Sequence, residues 1–261
     1  MNAADPAFEG HLHYEETTGV AVITYDRPER RNAVNVPMYK AIVAAVEKAN
    51  ASEAVGAIVL THAGPVFCAG VDLKAPPEPK DPATGIRETV ATLGMANDTG
   101  WIHLMQRSKP SVAALDGAAV GLGATHVLAA DLRIGGPSAS FSFPFLARGT
   151  MPEFGFSALL PRMVGFARAM EICLTSAVLD ADQARALGLL NRIVPAEALR
   201  AEAITLAATL AKLPPLQTRL TRQLLHDNAA EPDLNAVLTR ERDAFIALFR
   251  AQRAAAKAAE G

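Results

Sequence analysis

Twice in this chain an apolar run breaks into a cluster of glycine and other small residues: Phe67-Cys68-Ala69-Gly70-Val71-Asp72-Leu73, and later Asp116-Gly117-Ala118-Ala119-Val120-Gly121-Leu122-Gly123-Ala124-Thr125. At the first, a buried strand runs into the cluster, and Gly70 lets the backbone turn tightly and approach a ligand with no Cβ in the way. The second follows a predicted strand and opens a predicted helix. Free N–H groups of a first helical turn, together with the helix dipole, would stabilise a negative oxygen near Leu122. For the first cluster taken alone, an ordinary strand-to-helix turn with Asp72 near a helix start fits equally well. A nucleotide site fits poorly: Gly117, Gly121 and Gly123 do not follow G-x-G-x-x-G, and no G-x-x-x-x-G-K-[ST] occurs.

Around these turns strands and helices alternate. His11–Thr18 and Val20–Asp26 read as a hairpin broken at Gly19, Pro37–Asn50 as a helix with Met38, Ile42, Val43 and Val46 on one face, and Ala57–Thr61 as a buried strand. Thr99–Arg107 reads as helix, Ser111–Leu115 as strand, Gly121–Ala130 as helix and Asp131–Gly135 as strand. Such an order implies right-handed crossovers onto a parallel sheet. Ala75–Thr84, carrying Pro76, Pro77, Pro79 and Pro82, reads as an irregular cover. From Phe156 onward the pattern is helical: Ser157–Val164, Ala167–Thr175, Asp182–Leu187, Ala196–Leu213, Leu216–His226 and Asp233–Ala258. The alanine-rich end, Ala254–Ala259, is expected to fray.

A chain of 261 residues, 50% of them hydrophobic, can bury a core without covalent staples. Its net charge of −2 offers no basic footprint for nucleic acid. No apolar run approaches the roughly 18 residues needed to cross a bilayer, and the acidic, small-residue start Met1–Glu9 is unlike a signal peptide. Cys68 and Cys173 have neither metal nor disulfide spacing, which fits a reducing, cytoplasmic setting.

Four ordered segments resemble the enoyl-CoA hydratase/isomerase, or crotonase, superfamily: Arg27-Pro28 through Asn32-Ala33, Phe67–Leu73, Asp116–Asp131, and Ala184-Arg185-Ala186-Leu187-Gly188-Leu189-Leu190-Asn191-Arg192-Ile193-Val194-Pro195. The resemblance covers nearly the whole chain. It implies an α/β fold, a ClpP-like spiral of ββα units over residues 1–195, followed by a helical C-terminal trimerisation region over 196–261. It also implies an acyl-CoA substrate, with coenzyme A as part of that substrate and no separate cofactor, and a homotrimer or dimer of trimers. The thioester oxygen would sit between two peptide N–H groups, which motif position assigns to Val71 and Leu122. The family often has glycine at the second position; leucine serves as well, since any residue but proline supplies the N–H.

Typical hydratases of this family use two glutamates. The resemblance puts Thr125 and Phe145 at their places, so both carboxylates are absent. Thr125 could position a water or contact the substrate; the alternative is a packing residue whose hydroxyl is satisfied by the preceding turn. Gly149-Thr150-Met151-Pro152-Glu153-Phe154-Gly155 offers another carboxylate and resembles the Δ3,Δ2-enoyl-CoA isomerase branch, where a glutamate in a Pro-Glu-Gly-like turn moves a proton between C2 and C4. That branch commonly has a bulkier residue at the second donor position, as Leu122 is here. Glu153 is thus the expected base, its pKa raised by Phe143, Phe145, Met151 and Phe154. The other meaning of Glu153 is a carboxylate at a helix start, facing solvent.

Arg27, Arg30 and Arg31 form a basic cluster suited to CoA phosphates, or else a solvated loop. Ala33, Ala69, Gly70 and Gly121 are the remaining expected substrate contacts, and Arg250, Arg253 and Lys257 could reach CoA from the C-terminal helix. His62, His103 and His126 are isolated and read as structural or surface residues. Cys68 reads as a small buried residue. The sequence thus favours isomerisation of a 3-enoyl-CoA to the 2-enoyl-CoA. It leaves open a non-catalytic acyl-CoA-binding homologue and a hydratase-like lyase with a different acid or base.

Overall fold

The computed structural model describes residues 8–76, 78–80, 82, 85 and 88–260, in two compact units, one running to Ala211 and the other beginning at Lys212. Residues 1–7 and part of the proline-rich stretch Ala75–Thr84 lie outside the described residues.

The first unit opens with β1 (Leu12–Thr17) and β2 (Val20–Tyr25), paired antiparallel with Thr17 opposite Val20. Thr18 and Gly19 both have positive φ, 49° and 79°, as a two-residue hairpin loop with matching twist requires. In α1 (Val36–Ala51), Asn35 caps the start by accepting the Met38 N–H, Pro37 occupies the first turn, and Met38, Ile42, Ala45, Val46 and Ala49 are buried. There follow β3 (Ala57–His62), α2 (Val90–Gly94), α3 (Trp101–Arg107), β4 (Ser111–Leu115), β5 (Ala118–Val120), α4 (Leu122–Leu128), β6 (Leu132–Gly135), β7 (Ser140–Ser142), α5 (Phe156–Val164), α6 (Phe166–Thr175), β8 (Val178–Leu179), α7 (Ala181–Ala186), β9 (Arg192–Ile193) and α8 (Leu199–Ala211).

The main sheet has the order β1-β2-β3-β4-β6-β9, and every pairing after the hairpin is parallel. Its central strands are buried on both faces, as crossover helices demand. Ile23, Ile58, Leu60, Ala113 and Leu115 point into one core, which takes in α1 and α4. Val20, Val22, Val59, Val112 and Ile134 point to the other face, where Leu199, Ala203 and Ala207 of α8 cover them. Each valine or isoleucine so covered contributes about 1.5–3 kcal/mol, which is why α8 lies on the sheet.

A second sheet, β5-β7-β8, was not legible in the sequence, because strands of two or three residues carry no period. Its first strand belongs to the second glycine-rich segment, and an isolated bridge from that strand reaches the first. β5 lies parallel to β7, while Ala119 also bridges to Cys68.

The second unit contains α9 (Pro215–Asn228) and α10 (Leu234–Glu260). Arg240 bonds Asn228 at 2.8 Å and Glu231 at 2.7 Å, tying α10 to the end of α9. The alanine tail expected to fray is helical through Glu260, in keeping with the high helix propensity of alanine.

Candidate active site

The first glycine-rich segment is stitched to its neighbours by main-chain bonds. Cys68 N–H donates to Ala118 O (3.1 Å) and Val120 N–H to Cys68 O (2.9 Å); Ala69 N–H donates to Arg31 O (3.0 Å), Val34 N–H to Gly70 O (2.8 Å) and Asp72 N–H to Val34 O (2.9 Å). In the second segment Gly121 N–H donates to Ser142 O of β7 at 2.8 Å. These bonds skip two positions: among the described residues no acceptor receives the N–H of Val71 or of Leu122. Unpaired backbone donors are rare in protein interiors, and Leu122 is 2% exposed.

Two glycines make this possible. Gly70 has φ 94°, and a Cβ there would stand 3.0 Å from Val120 O and 3.9 Å from Leu122 N, so the two segments approach too closely for a side chain. Gly121, at φ 52° and ψ −115°, lies outside the regions open to L-residues and turns the chain so that Leu122 begins α4. α4 is shorter than expected, ending at Leu128 rather than Ala130. The N–H group therefore matters more than any long helix dipole.

A cavity of about 680 Å³ opens against both donors. Its walls bring together Arg30, Arg31, Ala33, Ala69, Gly70, Val71, Gly121, Leu122, Phe145 and Glu153. Thr125 is the exception and corrects the expectation of a substrate contact. Its side chain is fully buried and its hydroxyl donates to Leu122 O at 2.8 Å, one turn back along α4. Lys74, Val90, Arg148 and Thr150 also line the cavity; Thr150 lies in the segment that carries Glu153, and the other three fall outside the quoted motifs. A smaller cavity of about 310 Å³ is lined by Phe154, Gly94, His103 and Arg162.

Three described carboxylates border the large cavity: Glu29, Asp72 and Glu153. Glu29 is exposed. Asp72 is already neutralised, by Arg27 at 3.4 Å and Arg30 at 3.3 Å, and it accepts the Lys74 N–H. Arg27 is consequently not free for a phosphate: it is mostly buried and also donates to Ala33 O at 2.7 Å. Arg31 is exposed and keeps its guanidinium unpaired among the described residues.

Glu153 differs from both other acids. It is half-buried and its carboxylate has no hydrogen-bond or ion-pair partner among the described residues; burial raises its pKa above the ordinary 4.5. The backbone just after it is strained at Phe154, a non-glycine residue held left-handed at φ 56°; Gly155 follows at φ 70°, which glycine adopts freely. That turn buries the Phe154 ring against Tyr39 and His126, with centroids 6.4 and 6.0 Å apart. Phe145 and Phe143 pack on Phe156. Met151 does not join this apolar wall, because it is 73% exposed.

The other reactive side chains are quiet. Burial pushes the Cys68 thiol up to about 12 and the His126 imidazole down to about 3, so both are neutral. His126 stacks on Trp101 at 4.3 Å, with Nδ1 2.9 Å from the Tyr25 hydroxyl. His103 is exposed. Among the described residues no three His, Cys, Asp or Glu side chains converge as metal ligands, and no helix is long and apolar enough to cross a membrane.

Residues 15–260 match the family model for enoyl-CoA hydratase/isomerase. The chain belongs to the enoyl-CoA hydratase/isomerase family. It is 35% identical over 231 residues to the 1,2-epoxyphenylacetyl-CoA isomerase of Escherichia coli, covering 86% of this chain and 85% of that one. It is 33% identical to 4-chlorobenzoyl coenzyme A dehalogenase-2 of an Arthrobacter species, covering 85% and 79%. Among solved structures, enoyl-CoA hydratase from Bacillus anthracis superimposes with a TM-score of 0.80 at 26% identity, covering 92% and 91%. The fold is therefore the crotonase fold, and the chain is an acyl-CoA enzyme of this family. Members with such different names share the scaffold, so the acid and base groups decide the reaction.

Proposed function

We propose that this family member isomerises a 3-enoyl-CoA to the 2-enoyl-CoA, with Glu153 as the only proton carrier. The observation that carries the proposal is the combination of two N–H groups without acceptors and one half-buried, unpaired carboxylate on the same cavity. The thioester oxygen accepts hydrogen bonds from Val71 and Leu122. Glu153 takes a proton from C2, the electrons move through the C3–C4 double bond and the carbonyl to give a dienolate, and the two N–H groups hold its negative oxygen. The same carboxyl group returns the proton to C4, leaving the double bond between C2 and C3. Each donor of this type is worth about 3 to 4 kcal/mol, because it is aimed in advance at charge that grows in the transition state.

Hydration would also need a group to activate water. The two positions where the family's hydratases carry glutamates hold Phe145, an apolar wall, and Thr125, whose hydroxyl is occupied, which favours the proton shift over water addition. A raised pKa suits a group that must both take and give a proton near neutral pH. We extend the proposal to a homotrimer or dimer of trimers: Phe166, Met170 and Leu174 form an exposed apolar row at every fourth residue of α6, a face suited to self-association.

Given a 3-enoyl-CoA, the purified protein produces conjugated-thioester absorbance, and Glu153→Gln abolishes it. Equal turnover in the variant removes Glu153 from the mechanism. Water addition to crotonyl-CoA, assayed in parallel, tests the hydratase alternative.

A further inference from the structure

His62 ends β3 and lies outside the cavity, yet its ring joins the roots of both donor segments. Nδ1 is 3.0 Å from Gly64 O, at the start of the stretch leading to Val71. Nε2 is 3.0 Å from the N–H of Asp116, at the start of the stretch leading to Leu122. A carbonyl oxygen can only accept and a main-chain N–H can only donate, so the ring must be neutral, with its proton on Nδ1 and its lone pair on Nε2. Phe67 fixes the ring plane edge-on, with centroids 5.6 Å apart. The two roots are also in close packing: a Cβ on Gly117 would stand 2.3 Å from Pro65 O.

We infer that His62 is a positioning residue that sets the two donor segments in register, and that the oxyanion site is intact only while this imidazole is neutral. The inference rests on the proposed role of the Val71 and Leu122 N–H groups. An added proton on Nε2 would set N–H against the Asp116 N–H and break that bond, loosening the root of the second segment. Burial favours the neutral ring; the Gly64 and Ala63 backbone and the nearby Asp116 carboxylate oppose this, and among the described residues Asp116 is the charged group acting on the ring. That carboxylate accepts the Ser138 N–H at 2.7 Å, so it is held beside the ring and available to a protonated imidazole.

The test reads the oxyanion site directly, without turnover. Hexa-2,4-dienoyl-CoA is a conjugated thioester whose absorbance moves to longer wavelength when hydrogen bonds polarise its carbonyl. Wild-type protein should produce that shift on binding, and the shift should fade as pH falls. His62→Gln, which places a non-titrating acceptor near Nε2, should keep the shift and lose its pH dependence. His62→Phe should diminish the shift with little change in affinity, and lower kcat for a 3-enoyl-CoA roughly 10- to 100-fold with KM nearly constant. A wild-type complex with no shift overturns the oxyanion reading itself. A normal wild-type shift with the same pH profile in His62→Gln overturns the role of His62 alone, and this comparison stands even if His62→Phe does not fold.

Discussion

The ring of Phe154 fills the space that a side chain on Gly94 would need, since a Cβ at position 94 would stand 1.6 Å from a ring carbon. Phe154 cannot swing clear: its backbone is left-handed and its ring is wedged against Tyr39 and His126. Gly94→Ala must therefore displace Phe154 and, with it, the adjacent Glu153. The expected result is a loss of about 1–3 kcal/mol in denaturant unfolding, the usual range for an overpacked core, with kcat falling more than KM rises. Unchanged kcat would separate the Glu153 carboxylate from the packing of Phe154.

Glu153→Gln should inactivate the protein and stabilise it at neutral pH. A carboxyl whose folded pKa is raised above 4.5 binds its proton more tightly in the folded state, so its ionisation costs stability as pH rises through the window between 4.5 and the raised value. Wild type should melt below the variant at pH 8, and the gap should close below pH 4.5. In wild type, kcat should fall on the acid side as Glu153 becomes protonated, at a pH above that of an ordinary glutamate. A variant that melts lower at every pH would contradict the burial of an unpaired charge.

Thr125→Val removes a hydroxyl whose one hydrogen bond among the described residues is to the Leu122 carbonyl. Activity should stay within about threefold and stability within about 1 kcal/mol, the usual value of one such bond. A loss of several hundredfold would mean that the hydroxyl holds a reacting water, and would reopen hydration.

Asp72→Asn leaves Arg27 and Arg30 without their counter-ion just after the first donor segment. Breaking these partly buried contacts should cost about 1–3 kcal/mol, read as a lower urea midpoint. Because Val71 precedes Asp72 directly, kcat should also fall. Full activity at reduced stability would restrict the ion pairs to folding.

The two glycine-rich segments, the opening hairpin, α1 and the helical last third were legible because each carries a local signal: a turn residue, a cap or a period. The family followed from four motifs in order. Short strands such as Ala118–Val120 and Ser140–Ser142 are defined by partners far along the chain, so no window of sequence contains their cause. The same holds for His62, which local sequence marks as an isolated histidine although its bonds span two motifs. For Thr125 the sequence left two readings, a contact in the cavity and a packing residue bonded to the preceding turn; the structure shows the second, because spacing says which helix a residue is on and not which way its hydroxyl is spent.

The bridge between Cys68 and Ala119 has an evolutionary corollary. Since each donor segment is hydrogen-bonded to the other, neither can drift by insertion or exchange without misaligning its counterpart. The pair forms one hydrogen-bonded unit encoded in two separated stretches of chain. A graft of either stretch from a distant relative should fail alone and succeed when both are moved together, with the loop around Glu153 left as it is.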